Sequence, residues 1–120
     1  MVTTRILVAF EPGYHVYQSA IASALQKHRP HIKVTTAEPE EFETEIIRFD
    51  PHLVICSRPN TVPPNSKAAW VEFSLDPEQS TIICLDGEYS EADNPGFEEL
   101  LSIVDETERR AQTKRNLGDC

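Results

Sequence analysis

Short apolar runs that alternate with amphipathic helical segments constrain the fold of this chain more than any other feature. Residues 5–10 (RILVAF) form a continuous apolar run, which is typical of a strand buried on both faces of a parallel sheet. Apolar residues then recur at helical spacing until Pro30 ends the helix. The stripe that we expect to face the core comprises Tyr17, Ala20, Ile21, Ala24, Leu25 and His28.

The same unit then repeats. Residues 32–37 (IKVTTA) alternate and are rich in β-branched side chains, which predicts a second strand. Pro39 suits the first turn of a second helix, and residues 53–56 (LVIC) predict a third, fully buried strand. The buried stripe of the second helix comprises Phe42, Ile46 and Phe49. This strand–helix order with short connections predicts a parallel sheet that begins with strand order 2-1-3.

The middle of the chain has a different character. Residues 57–67 are rich in proline and lack an apolar period, which predicts a loop. Residues 68–74 (AAWVEFS) alternate and favour a strand, with a short helix across Trp70 as the alternative. Residues 81–85 (TIICL) predict a further strand, and the two would pair as an antiparallel hairpin at one edge. Asp86-Gly87 predicts a turn, and we expect a polar loop after it.

A last helix closes the pattern. Asn94 is a good N-cap and Pro95 a good first helical residue. The core stripe of this helix comprises Phe97, Leu100, Leu101 and Val104. The apolar pattern stops after Glu108, so we expect one domain over residues 1–108 and a frayed, polar, basic tail over residues 109–120. The predicted fold is a three-layer, flavodoxin-like α/β sandwich with a mainly parallel sheet of about five strands.

Composition limits the classes of partner and the cellular compartment that we expect. The chain has 120 residues, enough for one core, and a formal net charge of −9. An acidic surface repels phosphates and anionic lipid, so we expect neither nucleic acid nor a membrane as a partner. The apolar run near the N-terminus is too short for a signal peptide. Three cysteines, an odd number without regular spacing, argue against a disulfide framework and for a reducing, cytoplasmic compartment.

The segments described above resemble a response-regulator receiver domain. Receivers open with a strand that ends in two acidic residues holding Mg²⁺, and ILVAFE places Phe10 and Glu11 there. DPHLVICS places Ser57 where a receiver has its phosphoryl-accepting aspartate. Asp86 stands where the fourth strand ends in Thr or Ser, and Asn94 replaces the lysine of a Lys-Pro pair. The resemblance covers roughly the first 60 residues and the last helix, and it implies a receiver-like module that is not phosphorylated on aspartate.

A second family shares part of this pattern. RILVAFEPGYHVYQSAIASAL looks like the start of a universal stress protein, and HLVICSRP like the strand before the nucleotide-binding loop of that family. This resemblance implies a nucleotide or another small molecule as ligand. The family's phosphate loop is rich in glycine, whereas this chain has no glycine between Gly13 and Gly87. Backbone amides could not easily cradle a triphosphate there.

Several polar side chains are candidates for a site at the C-terminal edge of the sheet. Glu11, Ser57, Asp86 and Glu88 would meet there, where ligands bind in open α/β folds. Glu11, Asp86 and Glu88 are weak candidates for a Mg²⁺ or Ca²⁺ site, and we favour the alternative of solvated loop acids. His15 is the only histidine expected near this edge. We assign no catalytic, cofactor-binding or metal-binding residue.

Other reactive side chains have structural explanations. We expect Cys56 and Cys84 to be small buried hydrophobes, with a redox pair on neighbouring strands as the alternative, and Cys120 to be exposed. The aromatic side chains Trp70, Phe73 and Tyr89 form either an exposed face for a partner or part of the core at the sheet edge.

The sequence favours a regulatory protein over an enzyme. We expect a non-catalytic, receiver-like signalling module without a cofactor, which acts by protein–protein interaction or as a homodimer through an edge strand or the last helix. A nucleotide-binding stress protein is the alternative. A metal-dependent enzyme that uses Glu11, Asp86 and Glu88 ranks last, because no nucleophile or base is paired with them.

Overall fold

Six strands and three α-helices build the described part of this protein. The computed structural model describes residues 3–57, 67–74, 76, 78–93 and 95–118. Short 3₁₀ turns at Pro12–Tyr14 and Pro39–Glu41 lead into the first two helices. No helix in this part of the chain is both long and apolar enough to cross a membrane. The elements are β1 Arg5–Ala9, α1 His15–His28, β2 Lys33–Thr36, α2 Phe42–Phe49, β3 Leu53–Ser57, β4 Ala69–Phe73, β5 Thr81–Leu85, β6 Glu88–Ala92 and α3 Phe97–Ala111.

The strands form one mixed sheet in the order β2-β1-β3-β4-β5-β6. Strands β1 to β4 pair in parallel, whereas β5 and β6 extend the sheet as an antiparallel meander. The α/β class and the initial order 2-1-3 are therefore confirmed. The expectation of a mainly parallel, flavodoxin-like sheet of five strands was wrong, because the antiparallel part comprises two full strands rather than one edge strand.

Strand β4 resolves the alternative between strand and helix around Trp70. It pairs with β3 in parallel and with β5 in antiparallel orientation, as the predicted hairpin required. Ala69 and Val71 are fully buried on one face, and the period of two places Trp70 and Glu72 on the other. A helix at this position was the wrong alternative, because alternating burial matches a strand between two neighbours.

Strand β6 was not expected. The turn before it has φ of 54° at Asp86 and 81° at Gly87, both in the left-handed region. Two successive residues with positive φ form a type I′ turn, whose twist matches that of a two-stranded hairpin. The polar segment after the turn therefore pairs with β5 along its whole length, from Leu85↔Glu88 to Thr81↔Ala92.

Each face of the sheet has its own apolar core, which gives three layers. The larger cluster lies under α1 and α3 and includes Ile6, Val8, Ile55, Val71, Leu25, Leu100 and Val104. The smaller cluster lies under α2 and includes Leu7, Val54, Cys56 and Phe42, with Ile46 and Phe49 packed against it. Alternate residues of β1 and β3 pack into the two clusters, which explains why these strands are continuously apolar.

Helix α1 turns a different face to the core than the sequence predicted. Tyr17 is 55% exposed, whereas Gln18 is 2% exposed. The Gln18 side chain accepts a hydrogen bond from the Phe10 N–H at 2.7 Å, which draws this polar residue inward at the start of the helix. Leu25 is buried as expected, and Ile21 packs beside it.

The C-terminal segment is part of the fold through Gly118. Helix α3 begins at Phe97 after Gly96 and continues to Ala111. Leu117 is fully buried, its N–H donates to the Lys67 carbonyl at 2.8 Å, and its own carbonyl accepts from the Asp86 N–H at 2.6 Å. This differs from the frayed tail that we expected, because one leucine in a polar segment has no period by which to recognise it. Asn94, the expected N-cap, lies outside the described residues.

The cysteines also depart from expectation. Cys56 is a buried thiol whose Sγ donates to the Val71 carbonyl at 3.5 Å. Cys84 is buried and disulfide-bonded, and its partner lies outside the described residues, as does Cys120. Cys56 and Cys84 are thus not a redox pair, and Cys84 is not a simple buried hydrophobe. Since disulfides persist in oxidising compartments, the cysteine count does not support a reducing one, and a cytoplasmic location stays a prediction.

Candidate functional site

The carboxyl ends of the parallel strands form the candidate site. In the order β2-β1-β3-β4, the strand that follows β1 and the strand that follows β3 lie on opposite sides, which is the arrangement at which open α/β sheets bind ligands. Glu11 follows β1, and Ser57 is the last residue of β3. Their proximity follows directly from the parallel register that pairs Ala9 with Cys56.

A hydrogen bond joins the ends of these two strands. The Glu11 N–H donates to the Ser57 hydroxyl oxygen at 2.8 Å. Ser57 is 4% exposed, whereas Glu11 is exposed. The serine is therefore held inside the edge of the sheet and the carboxylate lies outside it, so the structure brings these two predicted residues together through the backbone of Glu11.

Phe10 and Gln18 fill the space beside this bond. Phe10 is 2% exposed and stacks on Phe73 of β4, with ring centroids 6.2 Å apart and an interplanar angle of 20°. Gln18 accepts from the Phe10 N–H and thereby satisfies the backbone donor at the end of β1. An aromatic ring thus occupies the place where a receiver would present the first of its two acidic side chains.

His15 and Glu38 lie on the solvent side of the same edge. His15 is the first residue of α1, and Glu38 follows β2. The His15 Nδ1 lies 3.6 Å from the Glu38 Oε1, and both side chains are well exposed at 60% and 42%. The expectation that His15 belongs to this edge is confirmed, and its partner there is Glu38.

Asp86 and Glu88 lie at the amino ends of the parallel strands, opposite to the carboxyl ends that hold Glu11 and Ser57. Strand β5 runs antiparallel to β4, and Cys84 pairs with Trp70 at the beginning of β4. The residues after β5 therefore lie near the amino ends of the parallel strands, away from Glu11 and Ser57. The expectation that Glu11, Asp86 and Glu88 meet at one edge was wrong for this reason. Within the described residues no group of three metal-ligating side chains comes together.

Asp86 instead belongs to an ion-pair network with the end of α3 and with Lys114, which follows that helix. Lys114 Nζ donates to its Oδ1 at 2.5 Å, and Arg110 Nη1 donates to its Oδ2 at 2.6 Å. These hydrogen bonds, that of Lys114 first, hold the pKa of Asp86 below its usual value of 3.8. Glu106 accepts from Arg109 and, at 2.8 Å, from Arg110, which lowers its pKa to about 2. This network joins the hairpin turn to the last helix.

The three aromatic candidates do not form one face. Trp70 packs in the core under α2, whereas Phe73 belongs to the core under α1 and α3. Only Tyr89 is markedly exposed, at 58%. Core packing, the alternative, is therefore the correct interpretation for Trp70 and Phe73.

A second surface feature was missed by sequence reasoning. An open groove of about 560 Å³ lies between the β5–β6 hairpin and α3, with Ile83, Leu85 and Ile103 among its lining residues. Strand β6 borders this groove as the edge of the sheet. The signal that could have revealed it is the Asp86-Gly87 pair, which is a strong indicator of a two-residue hairpin.

The residues at the two edges do not fit the Mg²⁺ site of a receiver. Phe10 and Ser57 stand where the receiver resemblance would require an acidic ligand and the acceptor aspartate, and Asp86 lies at the far edge. Likeness to receivers and to stress proteins thus stays a prediction from the residues quoted above. Comparison of the chain with family models, with curated proteins and with solved structures gave no match.

Proposed function

We propose that this chain is a non-catalytic regulatory module, receiver-like in β2, β1 and β3, which acts by binding another protein. The observation that carries the proposal is the hydrogen bond from the Glu11 N–H to the Ser57 hydroxyl. It engages Ser57, which the receiver resemblance places at the phosphoryl-acceptor position. The proposal therefore includes the absence of aspartyl phosphorylation.

The chemistry around Ser57 supports this proposal. A serine becomes a nucleophile when a general base within about 2.6–3.2 Å takes its proton. The group at 2.8 Å from the Ser57 oxygen is an N–H, which donates and cannot accept a proton. Burial of Ser57, which is 4% exposed, also limits the access of a phosphate donor.

The outermost strand, β6, and the groove beside it support the proposal that the partner is a protein. Strand β6 is an edge whose residues Glu88 to Glu91 are all exposed, and the groove beside it has apolar walls. Edge strands and apolar grooves are surfaces that other protein chains recognise. A homodimer is the alternative to a different protein as partner.

A thermal-shift panel tests the proposal. The protein is heated with Mg²⁺ alone, with Mg²⁺ and beryllofluoride, and with Mg²⁺ and ATP. A ligand at 100 times its dissociation constant stabilises the folded state by about 2.7 kcal/mol, which raises Tm by about 10 °C in a domain near this size. We expect no such shift in any of the three conditions.

Each positive result has a different meaning. A shift with beryllofluoride would overturn the proposal in favour of a phosphoryl site, and a shift with ATP in favour of the nucleotide-binding alternative. If Mg²⁺ alone raises Tm, the variant Glu11→Gln decides whether the ion binds at the carboxyl edge. Glu43→Gln, an exposed carboxylate on α2, is the matched control.

A further inference from the structure

We propose that β6 accepts a basic, extended segment of a partner protein as a seventh strand, with the apolar side chains of that segment directed at the groove beside α3. This inference rests on the proposed function, because it names the surface and the chemical class of the partner.

The backbone of β6 offers hydrogen bonds on its outer side. Residues that flank a two-residue hairpin turn form a hydrogen-bonded pair, and such pairs alternate along an antiparallel ladder. The register from Leu85↔Glu88 therefore directs the N–H and C=O groups of Glu88, Ser90 and Ala92 to β5. The N–H and C=O groups of Tyr89 and Glu91 point away from the sheet, and no described residue bonds to them. An added strand would pair with these four groups.

The charges of β6 specify a basic partner. Glu88 and Glu91 are exposed, and neither has an ion-pair partner among the described residues. Glu91 shares a face with Tyr89, whose ring is 58% exposed. A Lys or Arg on the added strand can pair with the Glu91 carboxylate and lie against the Tyr89 ring.

The other face of β6 adjoins the groove. Ile83 and Ser90 are cross-strand partners, and both line the groove with Ile103 of α3. Ile83, Leu85 and Ile103 are only partly buried. Because side chains of a strand alternate between faces, an added strand with basic residues on the Tyr89 face presents its intervening residues to these apolar walls.

The same charges disfavour a second copy of this chain. Antiparallel pairing of β6 with itself would bring the Glu88 and Glu91 carboxylates of both copies into one interface between two chains of net charge −9. Like charges across paired strands are destabilising, and acidic edges of this kind prevent self-association. A basic segment turns this repulsion into attraction, which makes the edge selective.

The test uses a nine-residue peptide of alternating lysine and valine, with a peptide of alternating glutamate and valine as the control. Both are titrated into the full isotope-labelled chain, and amide exchange is followed by NMR. At saturation with the lysine peptide, we expect the exchange rates of the Tyr89 and Glu91 amides to fall at least about tenfold, as newly bonded strand amides do. The Ser90 amide, already bonded to β5, should change little.

Three variants identify the source of the affinity. Glu91→Gln removes one exposed ion pair and should weaken binding by about two- to fivefold. Glu91→Pro also removes an outward N–H without breaking the ladder to β5, and it should weaken binding by about tenfold. Glu43→Gln should bind as the unchanged protein does, and an unaltered Tm shows that each variant is folded.

The inference is overturned if the Tyr89 and Glu91 amides exchange at the same rate with and without peptide. Equal binding of the glutamate peptide would also overturn it, as would a dimer in sedimentation that Glu91→Pro dissociates. These outcomes are separate from the thermal-shift panel, because a beryllofluoride or ATP shift rejects the proposed function without altering amide exchange in β6.

Discussion

The carboxylate of Asp86, in the turn between β5 and β6, accepts a hydrogen bond at 2.6 Å from the guanidinium of Arg110 near the end of α3. Lys114 donates to the other carboxylate oxygen, and the Asp86 N–H donates to the Leu117 carbonyl. One turn residue therefore joins the antiparallel extension of the sheet to the last helix and to the segment that follows it.

Replacement of Asp86 by Asn should lower Tm. Asparagine tolerates positive φ and is favoured before glycine in a type I′ turn, so Asp86→Asn removes the charge and keeps the turn. Because the pKa of Asp86 is lowered in the folded state, its contribution is present above the pKa of the unfolded chain and is lost as the pH falls. The difference in Tm between the two proteins should thus shrink below about pH 4 and in high salt. A difference that is independent of pH would contradict the ion pair.

Gly87→Ala tests the turn that creates β6. An alanine at φ of 81° is strained, and we expect a loss of about 1–2 kcal/mol in the free energy of unfolding. Gly13→Ala is the matched control, because an added Cβ there meets no atom within 4 Å and the backbone has no positive φ. Urea denaturation measures both, and equal midpoints for the two variants would contradict the turn type.

His52 should make stability depend on pH. It is 2% exposed, and its Nδ1 accepts a hydrogen bond from the Arg5 N–H at 2.9 Å, which only the unprotonated ring can do. Burial, together with the charge of Arg5, lowers the pKa of His52 below 6.5. The unfolded chain therefore binds a proton first as the pH falls. Stability is complete above about pH 6.5 and declines below it, until the folded protein also takes up the proton.

The variant His52→Asn isolates this effect. Its Oδ1 can accept the same hydrogen bond and does not titrate. Between pH 6.5 and 5, the slope of the unfolding free energy against pH should be lower than that of the unchanged protein, by at most about 1.4 kcal/mol per pH unit, the effect of one proton. Identical slopes in urea titrations would show that His52 is not a buried neutral acceptor.

Leu117→Ala measures how firmly the C-terminal segment is docked. Since Leu117 is fully buried, its truncation should cost about 2–5 kcal/mol. Thr113→Ala, an exposed position four residues earlier, should change stability by less than about 0.5 kcal/mol. A frayed tail would instead make the two variants equal in calorimetry.

Reduction should destabilise the fold through Cys84. Removal of a native disulfide typically costs about 2–4 kcal/mol, so dithiothreitol should lower Tm. Cys84→Ala should have a low Tm that no longer responds to the reductant. Cys56 should react with a thiol reagent only after denaturation, because its side chain is buried. An effect of dithiothreitol on the Cys84→Ala variant would contradict this assignment.

Local patterns predicted the first half of the fold well. The apolar runs of β1 and β3 and the stripe of α2 recur with the periods of their own elements, so they identify those elements without knowledge of their neighbours. The hairpin of β4 and β5 was also predictable from alternation. Alternation did not predict strand β6, because Glu88–Ala92 has no apolar alternation and pairs through its backbone. Only the turn residues Asp86-Gly87 indicated it.

The candidate site likewise has one part that was predictable from the sequence and one part that was not. The approach of Glu11 to Ser57 follows from two parallel strands and was predictable from their order. The separation of Asp86 and Glu88 from them depends on the direction of β5, and the composition of a strand is the same whichever way it runs. The sequence thus determines the elements and the parallel core, because periodicity is local. Only tertiary pairing decides at which end of the sheet each loop lies, because the direction of a strand depends on the neighbouring strand with which it pairs.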